Sequence, residues 1–380
     1  MNLRHLLLAA AALTLAACST PGAAKAKPGA AKAKPAAAEV KPAAAKAKPA
    51  AAKVKPAAAE VKPAAAEVKP AAAEVKPGAG KHIVLLAGDE EYRSEEALPA
   101  LGRILQRQGF KCNVCFSAEE DGSINPDKGD SLTNPAALDS ADAIIMLLRF
   151  RRWNEETLAR FDAAVKRGIP VIALRTSTHA FAGIPAESAY AAWNWNKDGG
   201  WGKKVLGESW VSHWGRHKHE ATRGVVEAAN AGHAILSGVK DVFGTTDVYE
   251  AAPPADATVL MRGQVLAGMT PDSPPLETLK ATKDKVEQGI NDPMMPIAWT
   301  RVVKNEAGGE NKIFCTTMGA ATDITNEGLR RMIVNAVHWG LGTEAPAEMD
   351  LSLPEGYEPT TYGFKGYRKD LKVADHELGR

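Results

Sequence analysis

Residues 170–179, PVIALRTSTH, decide the fold of this 380-residue chain. Pro170 to Leu174 is a short apolar run after a helix-like segment, the pattern of a buried parallel strand. It runs straight into Arg175, Thr176, Ser177, Thr178 and His179, polar groups that a core does not hold unpaired. In open α/β sheets, ligands bind beyond the carboxyl ends of the strands. This junction is therefore expected to floor a site.

The flanking segments repeat the same grammar. Upstream, Asn154 is placed to cap a helix with Leu158, Phe161 and Val165 on one face, ended by Gly168. His82 to Ala87 reads as a first buried strand, and Ser94 is placed to cap a helix to about Gln108 with Leu98, Leu101, Ile104 and Leu105 inward. Pro99 stands inside that helix, where it removes a hydrogen bond. Phe110 to Phe116 and Ala143 to Leu148 supply further strands. Downstream, residues 184–245 break the rhythm and hold five of the eight tryptophans (193, 195, 201, 210 and 214) and four of the nine histidines (213, 217, 219 and 233). Strand-like runs return at 258–261, 296–303 and 312–317, and a last helix over 326–339 is expected to stop at Gly340. The order predicts an α/β protein with a doubly wound, mostly parallel sheet.

The first 80 residues are of another kind. Arg4, the apolar run from Leu6 to Ala17 and the sequence Leu15-Ala16-Ala17-Cys18 have the form of a lipoprotein signal peptide (1–18), with Cys18 the lipidation site. The run is shorter than the about 20 apolar residues that span a bilayer. In 19–80, KPAAAEV-like heptads place a proline at 28, 35, 42, 49, 56, 63, 70 and 77. A proline in every heptad defeats a coiled coil, so a disordered Ala/Lys/Pro-rich linker is expected, holding a domain off a membrane or threading cell-wall polymer. An extracytoplasmic location follows, lipid-anchored on the periplasmic side of the outer membrane. Residues 81–342 form the α/β domain and 343–380 an irregular tail.

Residues 1–80 hold 13 of the 47 basic and 4 of the 45 acidic side chains, which leaves 34 and 41 beyond them, a net of −7. The basic balance belongs to the linker, and the folded part carries no nucleic-acid footprint. Cys112 and Cys115 fall on opposite faces of a strand and Cys315 lies in another, which suits buried thiols better than a metal or redox motif.

The ordered set GDEEYRSEE (88–96), ALRTSTHAF (173–181), SHWGRHKHEATR (212–223), GTTDVYE (244–250), VLMRGQVLAGM (259–269), PIAWTRV (296–302), IFCTTMGA (313–320) and NAVHWGLG (335–342) resembles the ThuA-like (trehalose utilisation) family. The resemblance implies the flavodoxin-like fold of class I glutamine amidotransferases, and carbohydrate utilisation. Amidotransferases place a nucleophilic cysteine at the turn that here reads Arg175-Thr176-Ser177-Thr178, so that activity is disfavoured. A Gly-His pair found near the last strand in many ThuA-like proteins is here Gly319-Ala320.

Glu90, Glu91, His179 and Ser177 are the catalytic candidates, a carboxylate and an imidazole being the parts for proton abstraction beside a carbonyl. Asp89, Arg149, Arg175, Trp214 and Arg216 are expected to bind substrate. His213 and His217, one helical turn apart, have a spacing that can hold a zinc-like divalent metal, with Asp247 a partner or a strand cap. The bland alternatives are a solvated acidic loop, hydrogen-bonded histidines and hydroxyls that only cap the next helix. The tryptophans suit either a sugar pocket or a mini-core for the insert. Two functions are consistent with this pattern: a sugar isomerase or hydrolase with acid–base chemistry, and a non-catalytic carbohydrate-binding lipoprotein.

Overall fold

The computed structural model describes residues 76–378; the signal peptide, Cys18 and all but the end of the linker lie outside the described residues. The elements in order are β1 (His82–Gly88), α1 (Ser94–Arg107), β2 (Lys111–Phe116), β3 (Ala143–Leu148), α2 (Glu155–Lys166), β4 (Val171–Leu174), β5 (Ser212–His213), β6 (Thr222–Val226), β7 (Phe243–Gly244), β8 (Tyr249–Glu250), β9 (Thr258–Val265), β10 (Leu279–Ala281), β11 (Glu287–Gly289), β12 (Met295–Lys304), β13 (Glu310–Thr316) and α3 (Glu327–Leu341).

The main sheet runs β2-β1-β3-β4-β13-β12-β9-β6-β7. Its first five strands are all parallel, the doubly wound sheet that the sequence predicts. Beyond β13 the strands pair antiparallel and extend it as a wing. Alternation along each central strand explains why both faces are covered. Ile83 and Leu85 point with Leu98, Leu101, Leu329 and Ile333 into the core shared with α1 and α3. Val84 and Leu86 point the other way, toward Leu158 and Phe161 of α2.

Local signals account for the helix ends. The Asn154 side chain accepts from the Thr157 amide, and Asn326 from that of Leu329, each satisfying one orphan donor. α1 begins after Arg93 at φ 60°, so Ser94 is its first residue and not its cap, and Pro99 is tolerated inside it. α3 passes Gly340, which packs on Pro170, and ends at Gly342 with φ 70°. The insert's tryptophans divide. Trp193 and Trp201 join Phe161 and Phe181 in a core, whereas Trp195 and Trp210 go to the sheet edge. Cys112, Cys115 and Cys315 are buried free thiols, each pushed up by burial.

One buried carboxylate ties the wing to the central sheet. Asp323 accepts from the Thr246 amide (3.1 Å), the Thr246 hydroxyl (2.7 Å) and the amides of Gly319 (3.1 Å) and Ala320 (3.3 Å). Asp323→Ala would orphan these donors at 0% exposure, at about 1–3 kcal/mol for each that water does not reach. We expect a stability loss of roughly 3–5 kcal/mol by denaturant unfolding. A loss under about 1 kcal/mol would show that water replaces the carboxylate.

Candidate functional site

The order in which the parallel strands are laid down reverses between β1 and β3, and ligands of such sheets bind there, outside the carboxyl ends of the strands. β1 ends in Asp89, whose carboxylate accepts from the amides of Glu91 (2.7 Å) and Tyr92 (2.5 Å) and from the Thr176 hydroxyl. Burial pushes this carboxyl up. Asp89 thus holds the β1–α1 turn against the β4 turn, and its expected part in substrate binding is corrected to a structural clamp.

Glu90 is held by Arg149 and by Arg151 (2.9 Å). Burial and neighbouring Asp89 push its carboxyl up, and the two guanidiniums pull it down. Both its oxygens are occupied, so a proton-abstracting role is replaced by one of positioning Arg149.

β4 delivers Arg175 at φ 42°, a left-handed conformation that costs a non-glycine residue of order 1–3 kcal/mol. Its side chain is 0% exposed. The guanidinium donates to the Asp247 carboxylate (2.9 Å), to the carbonyls of Asp247 (2.7 Å) and Thr317 (2.7 Å), and to the Tyr92 hydroxyl (3.2 Å). It lies 3.7 Å from the Tyr249 ring centroid and 4.7 Å from that of Tyr92. Substrate binding by Arg175 is corrected: the residue is sealed and positions Asp247.

Asp247 is the hub. One carboxylate oxygen contacts His213 Nδ1 at 2.7 Å; the other contacts His217 Nδ1 at 3.1 Å as well as Arg175. Burial works to raise its pKa, but Arg175 and the two histidines hold it far below the usual carboxylate range. His217 Nε2 lies 3.1 Å from a Glu91 oxygen. Hydrogen bonds to Asp247 and Glu91 push His217 up to about 9, so at neutral pH it is an imidazolium donating from both ring nitrogens. Glu91 is its counter-ion. His213 makes only the Asp247 bond, which leaves Nε2 without a partner among the described residues.

Two further expectations are corrected. The Ser177 hydroxyl is buried, donates to the Met146 carbonyl (2.9 Å) and accepts from the Leu148 amide (3.2 Å), so it ties β4 to β3 and is no nucleophile. Trp214 is fully buried and donates to the Ile290 carbonyl (2.7 Å), a core residue and not a substrate contact. The Arg216 side chain is exposed to solvent, with no polar contact among the described residues.

His179 does reach the site. Its Nδ1 contacts the Thr178 hydroxyl (3.2 Å), its ring packs on Phe150 and Trp210, and burial, then Arg149, Arg175 and His213, keep it neutral. Trp210 also meets His213 (5.8 Å) and Trp195 (6.3 Å). Asp247, expected as a partner or a strand cap, contacts both histidines, whereas Tyr92 and Tyr249, which complete the buried cluster, show no chemistry by spacing alone.

His213, His217 and Asp247 offer ligand atoms within 4.8 Å of one another. Two imidazoles and a carboxylate fit a zinc-like ion by type. A metal would have to displace the proton that His217 shares with Asp247.

The sign of the His217 linkage is testable. A folded pKa of about 9 against 6.5 unfolded means that its stabilisation is complete below about pH 6.5 and is lost as pH rises to about 9. The melting temperature of the wild type should therefore fall toward that of His217→Gln across this window. Parallel curves from pH 6 to 10 would contradict the charged His217.

The family model described as Trehalose utilisation matches residues 83–340. Among solved structures, the chain is similar to a ThuA-like protein from Parabacteroides merdae (15% identity, 75% of this chain and 97% of that one, TM-score 0.43). It is similar also to one from Bacteroides uniformis (16% identity, 71% and 94%, TM-score 0.42). A cytoplasmic protein from Salmonella typhimurium is a more distant likeness at 11% identity, 68% and 98%, and TM-score 0.35. No curated protein matches. The chain belongs to the ThuA family of trehalose utilisation.

Proposed function

We propose that this protein acts on a keto-sugar or glycoside by general acid–base catalysis, with His213 as the base. The observation that carries the reading is the buried Asp247 carboxylate on His213 Nδ1 (2.7 Å), with no partner on the other ring nitrogen. A carboxylate so placed holds the proton on Nδ1, which aims the Nε2 lone pair at a ligand. Proton abstraction beside a carbonyl leaves negative charge on oxygen. His179, neutral and with Nε2 unpartnered among the described residues, supplies a hydrogen bond to that oxygen; the His217 imidazolium supplies a favourable field. Trp195 and Trp210 offer faces on which a sugar ring stacks.

A second reading has the same residues hold a divalent metal, since their ligand atoms lie within 4.8 Å of one another. His213, His217 and Asp247 would be the ligands, with Glu91 hydrogen-bonding His217 from outside. Such an ion would acidify a bound water.

The sequence of residues 1–80 supports placement outside the cytoplasm, lipid-anchored through Cys18 with the heptad linker as tether. The sugar then reaches the domain in the periplasm.

Solvent-deuterium incorporation into keto-disaccharides, followed by NMR, tests the reaction. Wild type should exchange the proton beside the carbonyl, and His213→Gln should lose about 10²–10⁴-fold while melting within a few degrees of wild type. Unchanged exchange in His213→Gln would remove His213 as base. Binding of sugar with no conversion or exchange would leave a carbohydrate-binding protein. Elemental analysis of chelator-free full-length protein decides the metal: acid–base chemistry predicts none, and one equivalent that is lost in His213→Gln favours the second reading.

A further inference from the structure

The C-terminal segment lies beyond residue 340, where the family match ends, yet it is built into the site. Thr360 donates from its amide (2.7 Å) and hydroxyl (2.6 Å) to Glu96 of α1. Arg93 donates to the Thr360 hydroxyl (3.0 Å) and the Thr361 carbonyl (3.0 Å). The Gly363 amide donates to the Glu91 carbonyl (2.7 Å), which puts the segment beside the turn that carries both acidic candidates. Tyr362, 4% exposed, donates to the Thr245 carbonyl (2.9 Å). Its ring meets Tyr92 at 5.3 Å and His217 at 5.5 Å.

Phe364 behaves differently. Gly363 stands at φ 150°, a conformation that favours glycine, and the next residue emerges into solvent. Phe364 is 56% exposed, whereas Tyr362 two residues earlier is sealed. Leaving a phenylalanine in water forfeits most of the stabilisation that its burial would bring. It is not a loose end, because the Arg149 guanidinium lies 5.0 Å from its ring centroid and 4.3 Å from that of Phe150. Phe150 in turn packs on His179 (5.2 Å) and Trp195 (5.6 Å). Contacts through Trp210, His213 and His217 lead back to Tyr362. These side chains form a continuous circuit of contacts, to which Phe364 contributes a half-exposed aromatic face.

We propose that Phe364 is a stacking platform for the outer ring of a two-ring sugar whose inner ring lies against His213 and His179, so that a segment outside the family match sets the length of sugar accepted. This rests on the sugar reading above. Aromatic faces hold the apolar faces of pyranose rings, with the polar groups left to the surrounding side chains; Arg149, braced by Glu90, is the donor beside this platform.

The test is binding of trehalose (two rings) and methyl α-glucoside (one ring) to the full chain, titrated by NMR for wild type, Phe364→Ala and Phe364→Trp. Phe364→Ala should weaken trehalose about tenfold, a stacking loss of about 1.4 kcal/mol, and leave methyl α-glucoside unchanged. Phe364→Trp should restore trehalose binding. An exposed side chain predicts equal melting temperatures for all three, which separates a lost platform from a lost fold. Equal trehalose affinity in wild type and Phe364→Ala overturns the platform and leaves the sugar reading standing. Failure of trehalose and methyl α-glucoside to bind wild type overturns the platform, and failure of the keto-disaccharides to bind as well overturns the sugar reading.

Discussion

The rest of the structure depends on a buried ion pair, Arg175 with Asp247, both 0% exposed in their side chains. Taking two such ions out of water costs several kcal/mol each, and their attraction offsets this only with good geometry and further hydrogen bonds. Those bonds are present. Arg175 reaches the carbonyls of Asp247 and Thr317 and the Tyr92 hydroxyl, between two tyrosine rings. One guanidinium therefore joins the end of β4, the segment before β8, the end of β13 and the β1–α1 turn. Asp247 passes the constraint on to His213 and His217. The imidazoles are oriented by groups that are themselves buried.

The turn after β4 carries this arrangement. Its left-handed residue is Arg175 at φ 42°, facing inward. The strain of that conformation is compatible with a buried hub because the hydrogen bonds around Arg175 over-determine it. Ser177 and Thr176, which a motif reading places in the site, are used to join β4 to β3 and to the β1 turn.

How much of this was legible in the sequence depends on the scale of the interaction. The parallel sheet was legible because apolar periodicity follows from local chain geometry; HIVLLA, AIIMLL and VIAL each form central strands. The antiparallel wing was legible only as isolated strand-like runs, since which strand pairs with which is a long-range choice. His179, His213 and the acidic turn do gather at the carboxyl edge. Their roles were not legible: Asp89, Arg175 and Trp214 are sealed by partners 72 to 87 residues away, and no spacing rule reports that. The tail from 343 has little periodicity because widely spaced apolar anchors (Leu351, Leu371, Leu378) and polar bonds to Arg93, Glu96 and Glu91 hold it, not a repeating apolar face.

Proton placement on the two imidazoles is the quantity on which the mechanism turns. An Asp247 that orients His213 and charges His217 makes the histidines unlike, although they stand only four positions apart. The most direct measurement is the ¹⁵N spectrum of the histidine rings near pH 7.5, in wild type and in Asp247→Asn. We expect the His213 proton on Nδ1, toward Asp247, and His217 doubly protonated in the wild type, with His217 becoming neutral in the variant. Two neutral rings in the wild type, or spectra unaltered by Asp247→Asn, would contradict it.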